Sequence, residues 1–467
     1  MSTPYSRTMR VAILSVLGAV GLACSGRRPE GAPAPRAAGE TEAPRRGSTP
    51  VQTDAVQLYR QMGLLAEGGE TPFVGSVAYV AGPTADSTLM LLTLSLSTRA
   101  LTFAREGDRY RAAYSVTLDM RQGGQVARRL DAREFVRVTT FKETTRTDES
   151  VIFQQVLPIA PGTYDMSLSV RDDGGNKSSA IEATVGVPRL GIGTVSSPIP
   201  FYEAALRNST DSLPRIVPSP RSTVTFGQDS LVPVYVEGYG GSDSLLPLRA
   251  AVHGEAGSGV LWSDSVALPR RGSLYSGVVQ VPVSRLGVGV ATLAVWRSGG
   301  TDTTRTPLFV SFGDELPVAS FAEMVNYLRY FAAPYRLQTL RDATAEQRAS
   351  AWATFLRETD PIPATPQHEG LRDYFSRIAQ ANARFREEGS VGWLSDRGRV
   401  YVSLGSPDQI IEPNANDLNA RGRAQIWDYR RHRLQVVFID QTGFGRWRMT
   451  MGSETEFETV LRREQAR

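Results

Sequence analysis

Cysteine is almost absent from this chain of 467 residues, and Cys24 is the only one. A single thiol excludes an intramolecular disulfide and any cysteine-based zinc or redox pair, so packing alone must hold the fold. Histidine is scarce as well: His253, His368 and His432 are the complete set. No Gly-x-Ser-x-Gly elbow, His-Glu-x-x-His pair or phosphate-cradling glycine loop accompanies them, which argues against serine and zinc hydrolysis. Lysine occurs only as Lys142 and Lys177. The arginines that carry the basic charge are interleaved with acids, as in Arg421 and Arg423 after Asp417, and the formal net charge is only +4. Without a basic run, no nucleic-acid partner is expected. The apolar run at residues 11–23 is too short to span a bilayer, which needs about 20 residues.

That run nevertheless carries information. Arg7 and Arg10 precede it without an acid, and Gly21-Leu22-Ala23 leads directly into Cys24. A charged start, a short apolar stretch and a small residue before the cut are the parts of an export signal. The whole resembles a bacterial lipoprotein signal peptide over residues 1–23, and the resemblance implies that Cys24 is diacylated and becomes the mature N-terminus. The expected location is therefore the bacterial cell envelope, exported and held to a membrane through lipidated Cys24. Residues 25–52 are rich in Pro, Ala, Gly, Arg and Glu with almost nothing to bury, so 24–52 reads as a disordered tether. Its 28 residues beyond Cys24 span roughly 30 Å as a coil and about 90 Å fully extended.

Residues 53–188 predict a short helix, capped by Thr53 or Asp54, followed by a β-sandwich. Period-two segments fall at Val74–Val80, Leu89–Leu96, Leu101–Arg105, Tyr110–Leu118, Phe135–Phe141, Val151–Leu157, Thr163–Val170 and Ala180–Val185. Tyr164, Met166, Leu168 and Val170 share one face and Asp165, Ser167, Ser169 and Arg171 the other, so one side is buried and one wet. Pro161-Gly162-Thr163-Tyr164 looks like the corner of an immunoglobulin-like domain, with a tyrosine hydroxyl bonded back to the chain. The Pro- and Ser-rich stretch 189–220 reads as a linker. Residues 221–314 form a second all-β block, with strands at Leu231–Val236, Leu246–Val252, Val260–Ala267, Ser276–Val281, Val288–Trp296 and Pro307–Phe312.

At Pro317 the periodicity turns helical. Ser320 caps one helix, Thr344 with Gln347 makes a capping box for the next, and Asp360-Pro361 stops it. Thr365-Pro366 starts a third helix, whose stripe is Leu371, Tyr374, Phe375, Ile378, Asn382 and Phe385 and whose end is Gly389. Strands are expected at Val400–Leu404, Ile426–Tyr429, Leu434–Ile439 and Phe444–Met449, with a turn at Asp440–Gly443. The fold class is multidomain: two all-β immunoglobulin-like sandwiches, then an α+β unit over 315–450 and a tail over 451–467.

Within that unit lie Gly392-Trp393-Leu394-Ser395-Asp396, Gly405-Ser406-Pro407-Asp408, Trp427 and Asp440. Together with Trp352, Asp360-Pro361 and Asn382 they resemble the GWxTD domain of bacterial envelope proteins, with Ser395 where threonine is usual. The family implies no reaction. Physically, Trp393 reads as a plug between helix and sheet, and Ser395 and Asp396 as acceptors for the backbone of the Arg397-Gly398 turn. Asp360, Glu369, Asp396, Asp408 and Asp440 are the carboxylates that would bind a cation or act as acid and base were they to converge. The reading is a non-catalytic interaction or scaffolding module without cofactor or metal, facing envelope protein or glycan partners. The alternative is an envelope enzyme or a ligand- or metal-binding protein that uses those carboxylates.

Overall fold

The period-two segments between residues 65 and 187 pair into two facing antiparallel sheets. A short helix α1 (Ala55–Gln61) precedes β1 (Leu65–Glu67), β2 (Phe73–Ala81), β3 (Thr88–Ser97), β4 (Ala104–Glu106), β5 (Arg109–Gln122) and β6 (Gln125–Val138). After α2 (Phe141–Thr144) come β7 (Ser150–Ile159), β8 (Gly162–Asp172) and β9 (Lys177–Val187). The sheets run β1-β2-β3-β7 and β4-β5-β8-β9, with β6 also paired to β5. Met90, Leu92 and Leu94 of β3 meet Val116, Leu118 and Met120 of β5 and Met166 and Leu168 of β8 in the core between them. The Tyr164 hydroxyl donates to Ala160 O at 2.9 Å, the corner expected from Pro161–Tyr164. Two strands differ from expectation. The Leu101–Arg105 segment pairs only from Ala104, and β6 begins ten residues before Phe135 and ends at Val138, leaving Phe141 to open α2.

In this computed structural model the described residues are 55–144, 150–226, 229–255, 259–300, 302–311, 320–364, 368–385, 391–413 and 422–466. Cys24, the signal and tether, the Thr53 and Asp54 caps, Phe312, Pro317, Thr365-Pro366, Gly389, Asp417 and Arg421 lie outside them. Residues 52–467 cluster as one unit.

The second sandwich is built from β10 (Ile199–Ala205), β11 (Arg215–Pro218), β12 (Thr223–Thr225), β13 (Leu231–Gly238), β14 (Leu245–His253), β15 (Val260–Arg271), β16 (Leu274–Pro282), β17 (Gly289–Arg297) and β18 (Thr303–Ser311). The path is β11-β10-β13-β16-β15-β14-β17-β18-β12. Long β15 joins the two layers: it pairs with β14 through Pro269, then with β16 through Arg270 and Arg271. Val234, Val236, Val279, Val281, Leu248, Leu293 and Leu308 fill the core. The stretch expected as a linker is therefore corrected, because β10 and β11 extend this sheet. The reason lies in β3, whose first nine residues are all buried. One face lines the first core, while Leu89 and Leu91, with Ala78 and Val80, pack on Ile199, Ile216 and Tyr235.

A polar network sits inside that contact. The Arg207 and Glu237 side chains are 1% and 0% exposed and lie 3.2 Å apart. Tyr235 and Tyr239 each donate a hydroxyl to Glu237 at 2.7 Å. Arg207 also donates to Ala81 O at 2.9 Å, Ser209 O at 2.7 Å and Thr210 O at 2.5 Å. Burial, reinforced by the Glu237 charge, pushes both phenols well above their ordinary pKa, so they stay donors.

The C-terminal unit has α3 (Phe321–Tyr327), α4 (Pro334–Asp342), α5 (Ala345–Thr359), α6 (Glu369–Arg384), α7 (Asp396–Leu404), β19 (Gln409–Ile411), β20 (Arg423–Tyr429), β21 (Leu434–Asp440), β22 (Arg448–Met449) and α8 (Met451–Gln465). Its antiparallel sheet is β19-β20-β21-β22. Ser320 accepts from Glu323 N while the Glu323 carboxylate accepts from Ser320 N, closing a capping box on α3. Two expectations are corrected. Val400–Leu404 is helix, because its residues 400–402 are all buried and surrounded, as a short central helix requires. Residues 451–465 are helix rather than tail, with Phe457, Val460 and Leu461 in the core. The unit also rests on the second sandwich: Val288 joins its core, and Glu255 accepts from Phe321 N at 3.2 Å and lies 3.8 Å from Arg348.

Breaking the Arg207–Glu237 pair tests how the sandwiches are joined. Glu237→Ala, which leaves a buried guanidinium uncompensated, should cost about 3–5 kcal/mol in urea unfolding. The double change Arg207→Met with Glu237→Leu should cost clearly less than the sum of the single changes.

Candidate functional site

The signature begins where α6 ends. Tyr374, Phe375, Ile378 and Ala381 bury one side of α6, and the chain returns through a 3-10 turn, Gly392–Leu394, straight into α7. Glycine is required twice for lack of space. A Cβ on Gly392 would lie 2.2 Å from Ala381 O, and one on Gly398 would lie 1.8 Å from Gly392 O. The passage thus joins helix to helix with backbones in contact, rather than helix to sheet. Asn382 secures it by accepting from Trp393 N at 3.0 Å. Ser395 accepts from Gly398 N at 3.0 Å and donates to Gly392 O at 2.7 Å, which makes it the N-cap of α7.

Trp393 is buried, but its neighbours are Tyr327 and Tyr330, at centroid distances of 5.3 and 5.7 Å, with the Arg329 guanidinium 5.0 Å over the ring. Its indole Nε1 has no acceptor among the described residues. Trp427 fills the seam on the sheet side, 5.6 Å from Phe385 and 4.9 Å from Phe438. Asp396 does not bond the Arg397-Gly398 turn. Its Oδ2 accepts from Met449 N at 2.8 Å, and Arg448 approaches Oδ1 at 3.7 Å, so it ties α7 to β22. Gly405, at φ +84°, closes α7 rather than a strand, and its carbonyl accepts from the Tyr429 hydroxyl at 3.0 Å. Pro407 follows in the turn, and Asp408 accepts from Arg430 N at 2.8 Å. Asp440, fully buried, accepts from Thr442 Oγ1 and Gly443 N at 3.0 Å and from Gly445 N at 2.7 Å. Burial pushes its carboxyl up, but these bonds and Arg423 outweigh burial and hold it below the usual carboxylate range.

Four of the five carboxylates, Asp360, Asp396, Asp408 and Asp440, are thus engaged by separate partners. Asp360 accepts from Ile362 N at 2.9 Å as α5 ends, and Glu369 opens α6. Among the described residues, no three His, Cys, Asp or Glu side chains are grouped so as to hold a metal ion. His368 is the N-cap of α6. Its Nδ1 accepts from Leu371 N at 3.1 Å and its Nε2 lies 3.0 Å from Thr359 Oγ1. An accepting Nδ1 places the proton on Nε2. Burial pushes the imidazole pKa below the ordinary histidine value, against the opposing pull of Asp360 and Glu369. His253 ends β14 and His432 lies 3.5 Å from Glu464, so the three histidines are not brought together.

Residues 297–442 match the GWxTD domain family. The C-terminal third of this chain carries a GWxTD domain. The match begins at the end of β17 and takes in β18, so it reaches back into the second sandwich. No curated protein matches the chain. Among solved structures it is similar to the fibronectin(III)-like modules of Clostridium thermocellum CbhA, at 13% identity and a TM-score of 0.14, covering 50% of this chain and 94% of that one. It is also similar to the calcium binding domain CBD12 of CALX1.1, at 8% identity and a TM-score of 0.12, covering 58% and 89%. Likeness this slight says nothing about what this chain binds. Within the GWxTD domain, the sequence reading did not single out Gly398 or the role of Asn382. The pairing of Gly392 with Gly398 six residues later was the available signal.

Two measurements follow from this geometry. Trp393→Ala removes a ring packed among two tyrosines and an arginine and should cost about 3–5 kcal/mol, whereas Asp396→Asn, which keeps an oxygen for Met449 N, should cost about 1 kcal/mol. Gly398→Ala should exceed Asp396→Asn as well, since backbone must move; chemical denaturation ranks all three. For His368, the lowered pKa means that the folded state favours the neutral ring. Its stabilising contribution is complete above the unfolded value of about 6.5 and is lost as pH falls through it toward the folded value. The melting temperature should therefore drop between about pH 7.5 and 5.5, and His368→Asn, a cap that does not titrate, should remove that part of the drop.

Proposed function

We propose that this is an exported envelope protein, lipid-anchored at Cys24, whose body acts as a non-catalytic scaffold that holds out its GWxTD domain to a partner. One observation carries the reading. The hydroxyl and carboxylate side chains of the GWxTD signature are engaged by the chain's own backbone, Ser395 by Gly398, Asp396 by Met449, Asp408 by Arg430 and Asp440 by Gly443 and Gly445. Groups held in this way shape turns and junctions. The packing of the sandwiches and the GWxTD domain through buried contacts suits a body that transmits position. The sequence supports the address, because a sole cysteine follows directly on the short apolar run.

Labelling of growing cells with a palmitate analogue checks the anchor. The mature protein should take up label and fractionate with membranes, and Cys24→Ala should lose both. Label that persists in Cys24→Ala, or an unlabelled soluble wild-type protein, refutes it.

A further inference from the structure

The loop between β21 and β22 holds an aromatic ring in water. Phe444 is 91% exposed, in a domain where Trp427, Phe438 and Phe457 are almost wholly buried. It stands between Gly443 and Gly445, at φ +75° and +88°, conformations that glycine adopts without strain. Beneath it the loop is pinned. Asp440 receives Thr442 Oγ1, Gly443 N and Gly445 N, Thr442 Oγ1 accepts from Phe444 N at 3.3 Å, and Arg423 donates to Gly443 O at 2.5 Å. Joining two short strands does not require an outward phenyl ring on so fixed a base.

The ring's surroundings are basic and partly apolar. The side chains of Arg423 and Arg448 are 58% and 72% exposed. Arg446 is exposed and has no ion pair among the described residues. Met451 is 87% exposed where α8 begins, and Ile439 is exposed beside Arg448. The acids close by are committed, Asp440 beneath the loop, Asp396 to Met449 N and Arg448, and Glu454 and Glu458 to Arg399. Glu456 of α8 remains exposed. An apolar tip ringed by cations is complementary to an anionic bilayer, in which a ring enters the boundary between headgroups and acyl chains and guanidinium groups meet phosphates.

We propose that the Phe444 tip is a membrane-docking finger for anionic phospholipid, with Arg423, Arg446 and Arg448 as its headgroup contacts. The inference rests on the envelope reading only for the bilayer being within reach, which a tether of about 90 Å extended allows. The test uses residues 25–467, which lack Cys24 and so any acyl chain, with sedimentable vesicles of phosphatidylcholine alone or with about one third phosphatidylglycerol. The protein should sediment with the anionic vesicles and much less with the neutral ones. Phe444→Ser should reduce partitioning about tenfold with an unchanged melting temperature, and Arg446→Glu with Arg448→Glu should abolish the preference for anionic lipid. Failure of the unsubstituted protein to bind, or equal binding by Phe444→Ser, overturns the proposal. So does absence of vesicle binding combined with loss, in Phe444→Ser, of a protein crosslinked in native envelopes, which would assign the tip to a protein pocket. Because no acyl chain is present, none of the vesicle outcomes depends on lipidation of Cys24.

Discussion

Arg207 and Glu237 meet with almost no water around either charge, and three parts of the chain converge on that meeting. The guanidinium reaches the carbonyl of Ala81 in the first sandwich. Glu237 belongs to β13 of the second, and Arg207 itself lies between β10 and β11. Desolvating two such ions is costly unless every donor and acceptor finds a partner. Here Tyr235, Tyr239, Ser209 and Thr210 complete the set. The arrangement is satisfied only when the sandwiches sit in one relative position, because Ala81 O and Ala81 N, which donates to Tyr239 at 2.8 Å, are both enlisted. The apolar packing of Leu89 and Leu91 on Ile199 and Ile216 gives the contact its area, and the ion pair gives it a register.

The same logic of close approach governs the GWxTD domain. Gly392 and Gly398 let the 3-10 turn, α6 and α7 touch at the backbone, and Ser395 and Asn382 take up the polar groups that this contact would otherwise strand. Trp393 and Trp427 then pack into the same core with different neighbours, one against Tyr327 and Tyr330, the other against Phe385 and Phe438. The signature residues are thus positioned by one another. Asp440 extends the pattern to the surface, where a buried carboxylate organises the loop that carries Phe444.

Much of this was legible in the residues alone. Strands such as β8 announced themselves by alternation because one face is wet, and the Tyr164 corner was visible because its chemistry is local. The Ser320 cap and the stop at Asp360-Pro361 were readable for the same reason. A reversal after β21 was readable too, but of the strand expected at Phe444–Met449 only Arg448 and Met449 pair, so residues 441–447 are loop and Phe444 lies in it rather than in a strand.

What escaped the sequence was decided by neighbours distant along the chain. Val400-Tyr401-Val402 has the branched, alternating look of a strand, yet it is helix, because three consecutive buried positions can be served only where α6, α8 and β22 surround them. Residues 451–465 looked like a tail because their apolar positions are sparse, and only docking of Phe457 and Leu461 into the core reveals their use. The segment 189–220 looked like a linker because prolines interrupt it, and it became sheet because the outer face of β3 needed cover. Local pattern determined many of the sandwich strands, the caps at Ser320 and Thr344 and the corner at Tyr164, since those depend on residues a few positions apart. Tertiary structure alone decided which faces are buried twice, which glycines are obligatory and which acids meet, since these depend on contacts between segments that share no local pattern.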